Sequence, residues 1–351
     1  MNPYQVYGLK DNPFPPQPIE AIGSKKELFE YARKVCEPVR RKEIDEIKSK
    51  FFRVFLSRNP KATNLWILGD IGVGKTAILV HAWQLLEEKY KQILPIFIQC
   101  PQTGIYGIYD MTLSYLDRGF FEDLSTALVG KVIQSHPELL EDKEAKSIAK
   151  KLAQPDKRKK EVLRLIDDSM IDIDAVARVG TMDFSNGRLF VEDRLLNWVL
   201  LFCSDQATYY EKLTGYPRNG RLNGLATLFY LIHLMGYEMT VLIMDQLEYF
   251  WDTLTFHRRR ALALDVRELV QRSLPYMSFA TTTNVTTSDD MRYNHPTIYR
   301  ALPWNDMKVV KISRLSSQAA RTLVVWYLNL ERRKSTSCHP FTEKAIDVAY
   351  D

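Results

Sequence analysis

The chain has 351 residues, of which 46% are hydrophobic and 26% charged, so it is long enough to bury a sizeable core and to form more than one domain. This composition excludes a disordered tail and a disulfide-rich mini-protein. The net charge of +5 is concentrated near one end, because residues 253–351 contain 15 basic and 9 acidic residues, a net charge of +6. We therefore expect an anionic partner to meet the C-terminal third first.

The four cysteines argue against a zinc site or a disulfide framework. Cys36, Cys100, Cys203 and Cys338 lie far apart, with no CxxC pair and no cluster with histidine. The N-terminus lacks the basic start and apolar core of a signal peptide, and the longest apolar stretches are shorter than a membrane span. These features predict a soluble, cytoplasmic protein with no membrane contact.

The sequence of residues 1–60 predicts an extended arm followed by helices that pack on the core. Residues 1–18 are rich in proline and aromatic residues, which is typical of an extended arm on a surface. Ser24 is a suitable N-cap for a helix to about Val35, and a charged helix is expected from about Arg41 to Leu56.

Five apolar runs predict the strands of a sheet. The first, 64–68, leads through a glycine-rich loop into a helix from Lys75 to about Tyr90. The other runs are 93–99, 240–244, 277–282 and 308–312. Helical patterns, notably 257–272, separate the later runs, so the alternation predicts a parallel sheet with helices on both faces.

A long helical segment, 101–238, separates the second and third predicted strands. A compact crossover needs only a few tens of residues, so we expect a helical insertion or lid here. Its predicted helices are 121–134, 143–152, 158–167, 189–213 and 222–234.

The glycine-rich loop carries the clearest motif. Gly69-Asp70-Ile71-Gly72-Val73-Gly74-Lys75-Thr76 fits GxxxxGK[ST] between a strand and a helix, the context that separates this motif from a chance glycine-rich turn. Glycines let successive backbone N–H groups point at phosphate oxygens, and the helix N-terminus adds partial positive charge. The motif predicts that Lys75 contacts the β- and γ-phosphates and that Thr76 offers its hydroxyl to Mg²⁺.

A second acid for the metal is expected at the end of the 240–244 run. Asp245 directly follows that run, which makes it the candidate metal ligand. In many proteins with this glycine-rich motif, the residue after the metal-binding acid is a glutamate that activates water. Here that residue is Gln246, and the next carboxylate is Glu248. Glu248 is therefore a candidate base, with an ordinary polar residue at a helix start as the equal alternative.

Polar residues also end the 277–282 run, on the strand expected between the two phosphate-site strands. Asn284 is a candidate to orient the attacking water or sense the γ-phosphate, with Thr283 or a plain turn as the alternatives. Arg292 and Arg300 follow at positions suited to an arginine finger, although most surface arginines are solvated partners of carboxylates.

Two basic clusters are candidates for contact with nucleic-acid phosphates. The first, His257-Arg258-Arg259-Arg260, begins a predicted helix, and its alternative role is pairing with acids of the insertion. The second, Arg332-Arg333-Lys334, ends a predicted helix, where the helix dipole equally favours cations.

With these motifs, the chain resembles a P-loop (ASCE) ATPase of the AAA+ type, nearest in outline to origin-recognition-type initiators and transposition-regulator ATPases. Asp11-Asn12-Pro13-Phe14 resembles the NPF arm, and Arg314-Leu315-Ser316-Ser317-Gln318-Ala319-Ala320 is similar to the start of the helical lid. Ile22-Gly23-Ser24-Lys25-Lys26-Glu27-Leu28 resembles the IGRxxEL box against the adenine, which implies nucleotide contacts at Ile22 and Gly23. By contrast, Asp245-Gln246-Leu247-Glu248 resembles the DQxE of STAND-type signalling ATPases, which are slow nucleotide switches.

The resemblance implies an α/β fold, a P-loop NTPase three-layer sandwich with a five-stranded parallel sheet, a large helical insertion and a partial C-terminal lid. The ATPase core would comprise 61–100 and 239–314, the insertion 101–238, and an incomplete lid 315–351. The lid is expected to be incomplete because the helix opening at Pro340-Phe341-Thr342-Glu343 has barely three turns before Asp351.

The expected function is that of an ATP- and Mg²⁺-dependent ATPase that acts as a nucleotide-controlled assembly switch on DNA. Its implied catalytic residues are Lys75, Asp245, Glu248, Asn284 and Arg300, and its metal ligands Thr76 and Asp245. A homo-oligomer is expected, because an arginine finger comes from a neighbouring copy. The alternative is a STAND-like signalling ATPase that recognises a protein partner through the insertion. A small-molecule kinase is less favoured, since no acceptor pocket or lid arginine pattern is apparent.

Overall fold

The computed structural model describes residues 24–56, 62–101, 103–140, 145–188, 190–273, 275–296, 307–331 and 341. Its centre is a parallel sheet of five strands in the order β2-β3-β4-β1-β5. The strands are β1 (Asn64–Leu68), β2 (Ile93–Gln99), β3 (Met239–Asp245), β4 (Met277–Thr283) and β5 (Met307–Lys311). The predicted five-stranded parallel sheet is therefore confirmed, and β4 lies between β1 and β3 as expected.

Alternate residues of each strand enter two separate apolar cores, one on each face of the sheet. In β1, Trp66 and Leu68 belong to one core, whereas Leu65 and Ile67 belong to the other. Every residue of β1, β3 and β4 is buried. Continuous apolar runs are the pattern expected of strands covered on both faces, which explains why these strands were readable from the sequence.

The helices of the first face precede and follow β1. They are α1 (Lys25–Val39), α2 (Arg41–Ile47), a π-helical turn (Lys48–Phe52), α3 (Arg53–Phe55) and α4 (Lys75–Lys89). Ser24 caps α1 as predicted, since its hydroxyl accepts the Glu27 N–H at 3.3 Å. The predicted end at Val35 is wrong by four residues, because Pro38 is tolerated in the last turn of α1. The single predicted helix to Leu56 is interrupted by the π-helical turn.

Helices between β2 and β3 cover the second face. They are α5 (Ile105–Ser135), α6 (Ala145–Leu152), α7 (Pro155–Asp167), α8 (Ile173–Ser185), α9 (Asp193–Leu201), α10 (Gln206–Thr214) and α11 (Arg221–Met235), with short 3₁₀ turns at Pro137–Leu139 and Arg218–Gly220. Their apolar side chains share one core with Trp66, Ile96 and Leu242 of the sheet.

Two helix predictions in this segment are wrong, and a third helix was missed. The predicted start at Phe121 falls inside α5, which kinks at Asp117 (φ 49°), whose carboxylate accepts the Phe120 N–H. The predicted helix 189–213 is two helices, because Asp205 accepts the Thr208 N–H and starts α10. The helix α8, capped by Asp172, was not predicted at all.

The remaining helices follow the third and later strands. They are α12 (Leu247–Thr253), α13 (Phe256–Ser273), α14 (Val285–Tyr293) and α15 (Ser317–Glu331). Within the ranges the structure describes, none of the helices combines the length and hydrophobicity needed to cross a membrane.

Candidate functional site

The loop between β1 and α4 has a backbone that requires glycine. Gly74, directly before Lys75, has φ +92°, in the left-handed region that other residues adopt only with strain. At Gly69 the constraint is space, because an added Cβ would lie 2.7 Å from the Ile312 carbonyl oxygen. The glycines of the motif are therefore explained by the loop geometry itself.

Most backbone N–H groups of this loop have no hydrogen-bond partner among the described residues, although the Gly69 N–H donates to the Thr283 carbonyl oxygen at 3.3 Å. Among the described residues, none of the N–H groups of residues 71–77 makes a hydrogen bond, and the helical ladder begins with Ile78, whose N–H donates to the Gly74 carbonyl oxygen at 3.2 Å. These donors surround the N-terminus of a 15-residue helix. Such a group of free donors at a helix N-terminus suits an anion with several oxygens.

Lys75 is buried beside this loop, with its side chain folded back. Its Nζ donates to the carbonyl oxygens of Gly69 and Asp70, both at 3.0 Å, and lies 3.1 Å from Glu248 Oε1. The ammonium group thus makes two hydrogen bonds to the loop backbone and an ion pair with Glu248. Lys75 and Glu248 thus form a nearly enclosed ion pair, with side chains 8% and 13% exposed.

Asp245 ends β3 beside Thr76, so the two predicted metal ligands lie together. Asp245 Oδ1 accepts a hydrogen bond from the Thr282 hydroxyl at 2.5 Å. Burial raises the pKa of Asp245, while hydrogen bonds from Thr282 and Thr76 act in the opposite direction. A buried carboxylate beside a threonine hydroxyl is an oxygen donor set that fits Mg²⁺, whose charge would offset the cost of burying the carboxylate.

The turn after Asp245 holds an unusual backbone. Gln246 has φ 61° and ψ 46°, and its N–H donates to the Thr282 hydroxyl at 2.9 Å. Left-handed backbone at a residue other than glycine is costly and clusters at functional sites. The turn also starts α12, which carries Glu248, and the second carboxylate oxygen of Glu248 is buried without a hydrogen-bond partner.

Asn284 and Thr283 lie at the end of β4, between the two strands that carry the loop and Asp245. Asn284 is largely buried, and its Oδ1 caps α14 by accepting the Thr287 N–H at 2.5 Å. The Thr283 hydroxyl is buried without a hydrogen-bond partner. The Asn284 side-chain oxygen therefore has a structural role as an N-cap, and the Thr283 hydroxyl is a buried polar group that is left for another partner.

The predicted arginine positions are only partly visible. Arg292 lies on α14 with its guanidinium 5.5 Å from the Tyr293 ring, while Arg300, Ile22 and Gly23 lie outside the described residues.

In the first basic cluster, Arg259 is internal, since it donates to the Trp251 carbonyl oxygen at 2.8 Å and pairs with Asp290 at 3.4 Å. The predicted alternative partner was an acid of the insertion, whereas Asp290 belongs to α14. The second cluster, Arg332-Arg333-Lys334, and the Asp11-Asn12-Pro13-Phe14 arm also lie outside the described residues.

Sequence analysis missed two residues of the site. Thr282 hydrogen-bonds both Asp245 and the Gln246 N–H, and the run of threonines that ends β4 was its only signal. Arg40, buried between α1 and α2, donates to the Val73 carbonyl oxygen at 2.7 Å and to the Ser313 carbonyl oxygen at 2.9 Å. Nothing in the local sequence connects Arg40 with a loop 33 positions away.

Three comparisons with known proteins complete the description. A scan against models of protein families, a search of curated proteins and a search of solved structures each found no match. Within the described part of the chain there is also no group of three or more His, Cys, Asp or Glu residues placed to hold a metal ion. The function must therefore be argued from the residues around the loop.

Proposed function

We propose that this chain binds ATP with Mg²⁺ at residues 69–76 and hydrolyses it slowly, as a nucleotide-controlled assembly switch. One observation carries the proposal: the unused N–H groups of residues 71–77 lie at the same edge of the sheet as Lys75, Thr76 and Asp245. The N–H groups would bind the phosphate oxygens, and Lys75 would supply the cation between the β- and γ-phosphates.

Magnesium would be held by Thr76 and Asp245 together with phosphate oxygens. The Asp245 side chain is kept in position by Thr282, so its carboxylate can serve the metal without a large rearrangement. When bound, Mg²⁺ supplies charge neutralisation of the phosphates.

Two residues compete for the role of placing the attacking water. Glu248 is the only one of the two able to accept a proton, whereas Gln246 can only orient water by hydrogen bonding. In this structure Glu248 is engaged by Lys75 at 3.1 Å, so it is not free to act as a base until that ion pair opens. This engagement supports the proposal of slow turnover. An arginine from a neighbouring copy, Arg292 or Arg300, would complete the site in a homo-oligomer.

For the target of the switch, we propose DNA, contacted by the basic C-terminal third. Arg258 and Arg260 are exposed on α13 and are available for phosphate contacts. The STAND-like alternative, a switch that recognises a protein partner, is favoured by the internal engagement of Arg259, which removes one cation from the basic cluster.

Replacement of the loop lysine tests nucleotide binding. Lys75→Ala removes a charge-assisted contact worth about 1.5–3 kcal/mol, so we expect affinity for ATP with Mg²⁺ to fall roughly 10- to 150-fold in a fluorescent-nucleotide displacement assay. Lys89→Ala is the matched control, since Lys89 lies at the other end of the same helix. Equal affinity of Lys75→Ala and wild-type protein would refute the proposed site.

A further inference from the structure

The ion pair between Lys75 and Glu248 places a carboxylate where the loop lysine must meet phosphate. The Lys75 ammonium donates two hydrogen bonds to loop carbonyl oxygens, and Glu248 Oε1 lies 3.1 Å from it as the paired charge. A phosphate that meets Lys75 on this side must therefore displace the Glu248 carboxylate or lie beside it.

The Glu248 carboxylate is itself in an unfavourable position. Its Oε2 is buried and has no hydrogen-bond partner. A buried acceptor left unpaired costs free energy that water or another donor would recover. Glu248 is therefore held at this place by the Lys75 cation and not by a full set of hydrogen bonds.

A diphosphate and a triphosphate make different demands on this pair. A diphosphate needs one Lys75 donor, which would come from the hydrogen bonds that Lys75 makes to the carbonyl oxygens of Gly69 and Asp70. A triphosphate needs a further donor and brings a second anionic group to the side of Asp245, where the Glu248 carboxylate stands. Like charges at close range in a site with little water repel strongly.

Resting on the proposed function, we propose that Glu248 is a specificity-determining residue that makes the site favour ADP over ATP until Glu248 leaves Lys75. In the nucleotide-free chain its carboxylate takes the place of the terminal phosphate as the partner of Lys75. ATP must expel this carboxylate, whereas ADP coexists with it.

The expulsion of Glu248 would act on α12 as a whole. This short helix starts at the strained Gln246, and its Leu247 and Trp251 border a small apolar cavity under the helix. Trp251 is also tied to α14, because its Nε1 donates to Asp290 Oδ2 at 3.1 Å. Binding of a γ-phosphate would thus shift α12 and, through Trp251, α14, whereas binding of ADP would leave both helices in place.

Nucleotide affinities of charge variants test this assignment. Dissociation constants for ADP and for a non-hydrolysable ATP analogue, both with Mg²⁺, are measured for wild type and Glu248→Gln. We expect wild type to bind ADP more tightly, and Glu248→Gln to raise affinity for the analogue by about tenfold or more while changing ADP affinity by less than about threefold. Glu268→Gln, which removes an exposed carboxylate paired with Arg272 on α13, is the control and should change neither.

Each other outcome is decisive. Equal changes for both nucleotides, no change for either, weaker analogue binding in Glu248→Gln, or no ADP preference in wild type would overturn the role of Glu248, while the proposal that the site binds nucleotide would still stand. Binding of neither nucleotide to wild type or variant would instead refute the proposed function. Glu248→Ala, which also removes the carboxylate, gives the same readout if Glu248→Gln does not fold.

Discussion

At the level of single residues, Arg40 connects the glycine-rich loop to the segment that follows β5. Its guanidinium donates to carbonyl oxygens of Val73 and Ser313 and pairs with Glu43 at 3.0 Å. The Arg40 and Glu43 side chains are 5% and 15% exposed and the hydrogen bond to Val73 is buried, so these contacts are little screened by water. Arg40 therefore helps to hold the loop in a form that is ready for an anion.

Replacing Arg40 should destabilise the fold and loosen the loop. Arg40→Ala leaves two carbonyl oxygens and a carboxylate without their donor, and we expect a loss of about 1–3 kcal/mol in the free energy of unfolding, measured in urea. Arg41→Ala is the control, since Arg41 is exposed and donates only to the Glu37 carbonyl oxygen, and it should cost less than about 0.5 kcal/mol. Equal losses in the two variants would contradict this role of Arg40.

Asp265 on α13 gives the stability of the chain a defined pH dependence. Burial raises the pKa of Asp265 to about 6, with a further contribution from Glu268. The native state then holds the proton more tightly than the unfolded chain, so the contribution of Asp265 to stability falls as pH rises from the unfolded pKa of about 4 to about 6. We expect Asp265→Asn to lose this part of the pH dependence in thermal melts between pH 4 and pH 7. An unchanged pH profile in the variant would show that Asp265 is not the group responsible.

The sequence predicts which residues carry suitable chemical groups, but it does not predict which of those residues contact each other. Lys75, Thr76 and Asp245 were predicted because a motif and a strand end specify them. The contact between Lys75 and Glu248 depends on the path of the turn after Asp245, and that path rests on the backbone of Gln246, for which no local signal exists. Arg40 was missed for the same reason, since its partners are distant in the chain.

At the scale of elements, the turn from β3 into α12 is the least conventional part of the site. It combines a left-handed glutamine with a helix of seven residues that carries Glu248. Thr282 on the neighbouring strand stabilises the turn through the Gln246 N–H and the Asp245 carboxylate. The position of Glu248 is therefore set by the backbone of Gln246.

Substitution of Gln246 by glycine distinguishes the cost of its left-handed backbone from the function of its side chain. Gln246→Gly relieves the strain of the left-handed backbone but raises the conformational entropy of the unfolded chain. We therefore expect the free energy of unfolding to stay the same or to rise by up to about 1 kcal/mol. If the amide side chain orients the attacking water, ATP turnover is lost while nucleotide affinity is kept. Gln246→Val, which is β-branched, should instead destabilise the chain. A Gly variant that is much less stable than wild type would contradict the strain assigned to Gln246.

The elements of the sheet were predicted better than those of the insertion. β1 and β2 have the predicted bounds because strands buried on both faces are continuous apolar runs of strand length. The helices of 101–238 are bounded by polar capping residues such as Asp172 and Asp205, which look like ordinary loop residues in a sequence. The kink at Asp117 likewise hid the first four turns of α5.

At the scale of the whole molecule, the exposed arginines of α13 are the part of the basic C-terminal third that can be tested without disturbing the fold. Arg259 should be left intact because it bonds Trp251 and Asp290. Arg258 and Arg260 are exposed, so their replacement changes surface charge alone.

If DNA is the target, the double variant Arg258→Ala and Arg260→Ala should bind unrelated DNA sequences more weakly and to a similar degree. The slope of log affinity against log salt should flatten by about 2, since about 0.9 is lost for each phosphate contact. A double variant of Arg178→Ala and Arg194→Ala, exposed arginines of the insertion, controls for net charge. Wild-type DNA binding that is absent at low salt with ATP present would favour the protein-binding switch.

Calorimetric titration of the wild-type chain with ATP measures whether the chain binds nucleotide and whether that binding depends on Mg²⁺. We expect saturable binding in the presence of Mg²⁺ that weakens when Mg²⁺ is chelated, and a smaller effect of Mg²⁺ in Thr76→Ala, which lacks one of the two proposed metal ligands. Thr208→Ala, whose hydroxyl lies on α10 in the insertion, should behave as wild type. No binding of ATP at millimolar concentration, or binding that is the same with and without Mg²⁺, would contradict the account.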